Sequence, residues 1–310
     1  MKNYLLLFGI LSILSSCGKT EKETAFVNSQ NPDLITQQNA ESNVVEKKDV
    51  EKLIFKNNDE FEESKELDLN LLSKVAASLA IQYSDIKISE TSFISYNDEI
   101  AFFVITHLVK TDEPEKGNAE EDDLGDYFER KYLFANKADG KIIAQQADFN
   151  LSYNENEGMH FSKSYILKNL IQLNENTTGV AFYTEEASGS RVSLYSQQKF
   201  TILALVNHKI KKLLYEYPIR KTQGDSNGRS SFELETLETG MILSDTKTNG
   251  FLDLIVSKNF SYEVAVEADE ETGSAEKSSI KVKKESERIK YNGQAYAFKK
   301  DDRYRFLDYN

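Results

Sequence analysis

Short runs of β-branched and aromatic residues, cut at close intervals by turn-forming residues, constrain this chain more than any other feature. Ile86–Ser95 alternates, and Ile100–Val109 is almost wholly β-branched, aromatic or aliphatic. Tyr132–Phe134 and Ile142–Ala144 flank Asp139-Gly140, a hairpin signal. Gly179–Tyr183, Val192–Tyr195, Phe200–Val206, Ile210–Tyr217, Ser231–Leu237, Leu252–Val256, Tyr262–Val266 and Ser279–Lys283 continue the series. Ile289–Tyr291 and Ala295–Phe298 close it around Asn292-Gly293. Strands this short and this regularly spaced cannot be joined by crossover helices, so the pattern predicts antiparallel sheets, propeller-like or sandwich-like. With 16 Tyr, 18 Phe and no Trp, the phenyl rings supply the large core side chains.

One segment has a helical period instead. Leu72, Val75, Ala76, Leu79, Ala80 and Tyr83 fall on one stripe, predicting an amphipathic helix near residues 69–83 with Asp68 or Asn70 at its start. Two acidic stretches, Asp112–Asp126 and Ala268–Glu276, read as solvated loops. Residues 18–52 are polar and aperiodic and cannot bury enough apolar area to offset their ordering entropy. They read as a flexible tether with a coil reach of roughly 30–35 Å. The division is therefore a leader at 1–16, an N-terminus and tether at 17–52, and an antiparallel β body with one N-terminal helix at 53–310.

The leader begins Met1-Lys2-Asn3 and continues through an apolar core, Tyr4–Leu14. That core is far shorter than the roughly 20 residues that span a bilayer as a helix, and it fits a secretory signal. Its exit, Leu14-Ser15-Ser16-Cys17, resembles the lipobox of bacterial lipoproteins. The resemblance implies cleavage before Cys17, diacylation of its sulfur and a membrane anchor through that lipid. Cys17 is the only cysteine, so once it is lipidated no disulfide remains to support the fold. Two or three acyl chains, at roughly 0.8 kcal/mol per buried methylene, hold a protein on a membrane without a spanning helix. Gly18 follows the anchor, where Asp resembles an inner-membrane retention signal, so the outer membrane is expected. Lys19, Glu21 and Glu23 resemble a surface-export tag, though the acids are not adjacent, and the face stays open. The net charge is −13, and removing residues 1–16, which hold one lysine and no acid, makes it −14. Such an excess of acid argues against nucleic acid as a partner.

Chemistry is harder to find. Asp245-Thr246-Lys247-Thr248-Asn249-Gly250-Phe251-Leu252-Asp253 resembles the calcium loop of FG-GAP-type repeats, which implies Asp245, Asn249 and Asp253 as metal ligands. Lys247 places an ammonium where an oxygen ligand is expected, and calcium takes six to eight oxygens. The favoured reading is a metal-free turn in which Gly250 supplies a left-handed conformation and Lys247 replaces the ion electrostatically. His107, His160 and His208 are scattered and lack zinc spacing. No GxSxG elbow or phosphate loop occurs, and no catalytic residue or cofactor is assigned. The expected function is a non-catalytic binding or interaction domain displayed on the envelope, with a protein or glycan partner. The alternatives are an envelope hydrolase using carboxylates or a Ser–His pair, and an inhibitor or immunity-type protein whose acidic body neutralises a basic target.

Overall fold

A computed structural model describes residues 53–56, 62–64, 66–110, 125–156, 158–268 and 277–299. All of them belong to one compact unit. The signal segment, Cys17, the tether and the expected acidic loops fall mostly or wholly outside the described residues.

The body is mainly antiparallel β with one α-helix, as the pattern predicts. It begins with β1 (Leu53–Phe55) and helix α1 (Leu69–Ser78). Asp68 caps α1 by accepting the Leu71 amide at 2.9 Å. The helix stops earlier than its apolar stripe. Ala80 turns left-handed (φ 56°), and the Ile81 amide reaches back to the Ala76 carbonyl at 3.0 Å. Leu71, Leu72, Val75 and Ala76 are buried on the first sheet, each large aliphatic contributing about 1.5–3 kcal/mol by leaving water.

That sheet holds β2 (Ser92–Ser95), β3 (Ile100–Lys110), β4 (Tyr127–Asn136) and β5 (Ile142–Ala147) in order, with β6 (Tyr153–Asn154) on β4. Ile86–Ser95 is not one strand. The 3-10 turn Tyr83–Asp85 precedes it, a second, Ile88–Glu90, interrupts it, and Ile86 joins the sheet only as a single bridge to His107. Phe103, Ile105, Leu133 and Ala135 face α1, while Phe102, Val104, Tyr132 and Phe134 face the other way.

The second sheet takes the rest: β7 (Met159–Phe161), β8 (Tyr165–Ile166), β9 (Ile171–Asn174), β10 (Thr177–Ser188), β11 (Ser193–Val206), β12 (Lys209–Ser226), β13 (Phe232–Thr248), β14 (Phe251–Val266) and β15 (Lys277–Ile289). From β10 to β15 each strand pairs with the next. Alternation along β10 sends Val180 and Phe182 toward the first sheet, and Ala181 and Tyr183 to the opposite face. The layers are thus helix, sheet, sheet, with an aromatic interlayer in which Phe102 meets Phe182 at 6.2 Å. This is sandwich-like packing, not a ring of blades. The second sheet also curls into a half-barrel around its own core of Phe200, Ile202, Leu214, Tyr217, Met241 and Leu254, with Phe55 of β1 and Leu173 of β9 inside.

Beyond that core the same strands run on. The segments 193–198, 220–226, 232–238, 258–266 and 277–285 form a sheet extension with partly exposed residues on both faces. Leu237 and Phe260 form its small buried apolar cluster. Ile289–Tyr291 and Ala295–Phe298, expected as strands, meet only in the bridge Tyr291–Tyr296.

Candidate functional site

The interlayer ends in a polar cluster built on β4. Strand alternation puts Phe128, Arg130, Tyr132 and Phe134 on one face, so a charged residue lies in phase with aromatic ones. Arg130 is fully buried. Its Nε donates to Thr106 Oγ1 at 3.0 Å and its Nη2 to Glu90 Oε2 at 3.0 Å, while Nη1 has no hydrogen-bond partner among the described residues. The Tyr153 hydroxyl donates to the same Glu90 oxygen at 2.6 Å. Lys87 lies 3.1 Å from the other Glu90 oxygen, donates to the Tyr153 hydroxyl at 3.2 Å and sits 4.3 Å above the Phe128 ring. Phe128, Tyr153 and Phe161 stack in sequence. Burial pushes the Tyr153 phenol up to about 12, with Glu90 adding to it and Lys87 opposing. Burial also lowers the Arg130 guanidinium, against the pull of Glu90. Burial opposes the charge on Lys87, but its bonds to Tyr153 and Glu90 outweigh that and hold its pKa above the usual lysine value.

Two residues along β4, Tyr132 reaches a second acid, this one buried. Asp148, just after β5, accepts the Tyr132 hydroxyl at 3.2 Å. The Tyr215 hydroxyl of β12 lies 2.7 and 2.6 Å from the two Asp148 oxygens. Lys212 Nζ lies 3.7 Å from Asp148 and 3.5 Å above the Tyr215 ring. Asp148 also accepts the Asn150 amide at 3.2 Å, capping the 3-10 turn Phe149–Leu151. Desolvation and the Asp148 carboxylate drive both phenols well above the ordinary tyrosine range, so both are donors. Tyr215 owes its aim to a bulge. Glu216 adopts φ 54°, and the β11–β12 register slips between Phe200–Tyr217 and Ile202–Leu214. The two clusters are linked through the backbone, because the Asp148 amide donates to the Arg130 carbonyl at 3.0 Å. Asp148 joins the first sheet to the second, and its oxygens are spent on that cross-brace. The arrangement is suited to holding two sheets in register rather than to moving a proton.

The sequence-selected residues lie elsewhere. Asn249 (φ 50°) and Gly250 (φ 81°) are the two central residues of the β13–β14 hairpin, with Thr248 paired to Phe251. The Asn249 side-chain amide donates to the Tyr291 carbonyl at 2.8 Å. Asp245 is exposed, whereas Asp253 is fully buried with Oδ2 3.5 Å from Arg288 and Oδ1 without a hydrogen-bond partner among the described residues. Lys247 does not stand in for an ion between them. It turns to Glu175 at 3.4 Å, because it lies past a bulge in β13 that separates it from Asp253. Among the described residues no three His, Cys, Asp or Glu side chains are grouped to hold a metal. His107 is buried with Nε2 3.2 Å from Glu129, and His208 occupies the Asn207-His208 hairpin turn at φ 58°. A groove beside β2 is lined by Glu62, Glu63 and Glu66, but Glu62 pairs with Lys168 at 3.2 Å and Glu63 lies 3.7 Å from Lys163.

The buried clusters were missed because their members are distant in sequence. The one local signal was a charged Arg130 in phase with Phe128, Tyr132 and Phe134. No known family model, curated protein or solved structure matches the chain.

Proposed function

We propose that this is a membrane-tethered envelope lipoprotein, held at the outer membrane through a lipid on Cys17, whose β body is a non-catalytic binding module for a protein or glycan. The observation that carries the reading is the sheet extension beyond the half-barrel core. Ordering a residue costs about 1–2 kcal/mol of backbone entropy, normally offset by burial. Here β12 and β13 run for 18 and 17 residues, well past the point where their apolar residues are covered. The extension adds two partly exposed faces and a long edge while adding little core. Display on a lipidated arm gives such a surface access to partners in the envelope.

Photo-crosslinking in cells tests this. A benzophenone side chain at Thr222 or Ser279, on the extension, is expected to trap discrete adducts. The same group at Ser73 or Ser78, on the exposed side of α1, is expected to trap none. Adducts from α1 alone, or from neither surface, overturn the assignment.

A further inference from the structure

Strand β2 is an edge of the first sheet, and among the described residues no strand pairs with its outer side. Its hairpin sets the phase of that edge. The Tyr96 amide donates to the Ile100 carbonyl at 2.9 Å, and the pairing continues from Ser95–Ala101 to Ser92–Val104. Main-chain bonds in an antiparallel pair fall on alternate residues, so Ile94 and Ser92 bond to β3. The amides and carbonyls of Phe93 and Ser95 therefore point away from it. Beside this edge runs a groove of about 1070 Å³, lined by Phe93, Ile94 and Ser95, by residues 62–64 and Glu66, and by residues 168–170. The Ser92 hydroxyl donates to the Ser164 carbonyl, which ties the start of the edge to the chain entering β8. The acidic wall is fixed in place. The Ser64 amide donates to the Ile166 carbonyl at 2.9 Å, and the Lys168 amide to the Glu62 carbonyl at 2.8 Å.

A short edge between walls can accept one extended chain without offering the long flat template on which chains stack. The groove lies just above the roughly 300–1,000 Å³ of small-molecule sites, which leaves room for a short peptide. Its charges decide which peptide. Glu62 is taken by Lys168 at 3.2 Å, and Glu63 by Lys163 at 3.7 Å. Lys137 is held at the other end by the Ser95 hydroxyl and the Asn97 carbonyl, at 3.0 and 3.3 Å. Glu66 remains: it is exposed and pairs with no described residue. Residues 59–68 hold six acids against Lys65 alone, so this stretch of chain is acidic as a whole. We infer that the groove takes an extended segment of a partner protein. The segment adds to β2 through the main chain of Phe93 and Ser95 and sets a lysine or arginine against Glu66. Main-chain bonds supply the attachment, and the carboxylate supplies the choice. A second copy of β2, Ser92-Phe93-Ile94-Ser95, fits less well, because it brings no cation to Glu66. This site is separate from the sheet extension and goes beyond it.

The test uses the intact lipoprotein in detergent micelles and a capped seven-residue peptide of alternating lysine and valine. A glutamate–valine peptide is the control. The basic peptide is expected to bind and to slow exchange of the Phe93 and Ser95 amides, and the control is not. N-methylating alternate amides along one edge of the peptide should abolish binding, and along the other should not. Glu66→Gln should weaken the basic peptide about twofold and Glu66→Lys about fivefold, the range of exposed ion pairs. Ser95→Pro removes one outward donor and no bond to β3, a change that an edge strand tolerates, and should weaken binding about tenfold. Ser95→Ala keeps the amide and should bind as the unmodified protein does. Equal binding of both peptides, equal binding of both N-methylated forms, or indifference to Glu66→Lys overturns the inference. So does protection of Phe93 and Ser95 that appears without peptide and grows with protein concentration, which identifies a second copy instead. If crosslinked adducts at Thr222 persist while these peptide results fail, the extension stands as a binding surface and the groove assignment falls.

Discussion

Ala80 occupies a position that favours glycine. It is exposed, left-handed at φ 56°, and follows the last turn of α1, whose closing bonds run from Ala80 and Ile81 back to Ala77 and Ala76. A side chain with a Cβ is strained there, so Ala80→Gly should stabilise the protein by about 0.5–1 kcal/mol, read as a rise in urea midpoint at constant slope. A loss of stability would show that the unfolded-state entropy of glycine outweighs the relieved strain. His107 makes a pH prediction. Its pKa lies below the usual 6.5, first because it is buried and then because Lys131 repels the charge, with Leu108 and Glu129 opposing. The folded state therefore takes up this proton less readily than the unfolded chain. That contribution to stability is complete above about 6.5 and is lost as pH falls through and below it. His107→Gln should flatten the stability profile between pH 7 and 5 relative to the unmodified protein. Parallel profiles from urea titrations would refute it. Nothing in the sequence marks either residue, because Ala80 falls on the apolar stripe that predicts a longer helix and His107 lies inside a strand-like run.

At the scale of elements, hairpins and the helix were legible because they depend on local chemistry: Asp139-Gly140, Gly250 and the stripe through Leu72, Val75 and Ala76. Strand lengths were not. Ile210–Tyr217 continues to Ser226, and Leu252–Val256 is continuous with Tyr262–Val266, because two-sided polar strands such as Arg220–Ser226 lack the apolar alternation that marks a strand. Their pairing still has identifiable supports. Gly224 (φ 155°) lies so close to β13 that a Cβ there would fall 1.9 Å from the Glu233 carbonyl oxygen. Gly224→Ala should therefore open the β12–β13 extension while the half-barrel survives. Hydrogen exchange is expected to lose protection across 220–226 and 232–238 and to keep it at Ile202, Leu214 and Leu254. Uniform loss throughout would mean that the extension and core fold as one unit. The Asp148 brace predicts the opposite spread. Asp148→Ala leaves the buried Tyr132 phenol and the half-buried Tyr215 phenol without their acceptor, and should cost about 2–4 kcal/mol of global stability in chemical unfolding. Tyr215→Phe, which leaves Tyr132 in place, should cost about 1–2 kcal/mol. A loss below 1 kcal/mol for Asp148→Ala would show that the two sheets do not depend on this link.

For the whole molecule, the β body and the proposed anchor draw on separate parts of the chain. Every residue of the described cores lies at or beyond Phe55, and the lipobox-like Leu14-Ser15-Ser16-Cys17 ends well before them. No described helix is long and apolar enough to cross a membrane. On the proposed reading, attachment then rests on acyl chains, and the acidic net charge of the chain works against any attraction to anionic lipid. One chain of about 14 carbons gives only marginal, reversible binding, so removing the diacylated sulfur should release the protein and not merely loosen it. Cys17→Ala is accordingly expected to abolish incorporation of a fatty-acid probe and to move the protein out of the membrane fraction. The thermal midpoint of the body should stay unchanged, since the described cores are built from residues at or beyond Phe55. Equal labelling of variant and unmodified protein would sink the anchor. Lost labelling with retained membrane association would show that the body itself binds the envelope, and the crosslinking positions Thr222 and Ser279 would then identify the surface responsible.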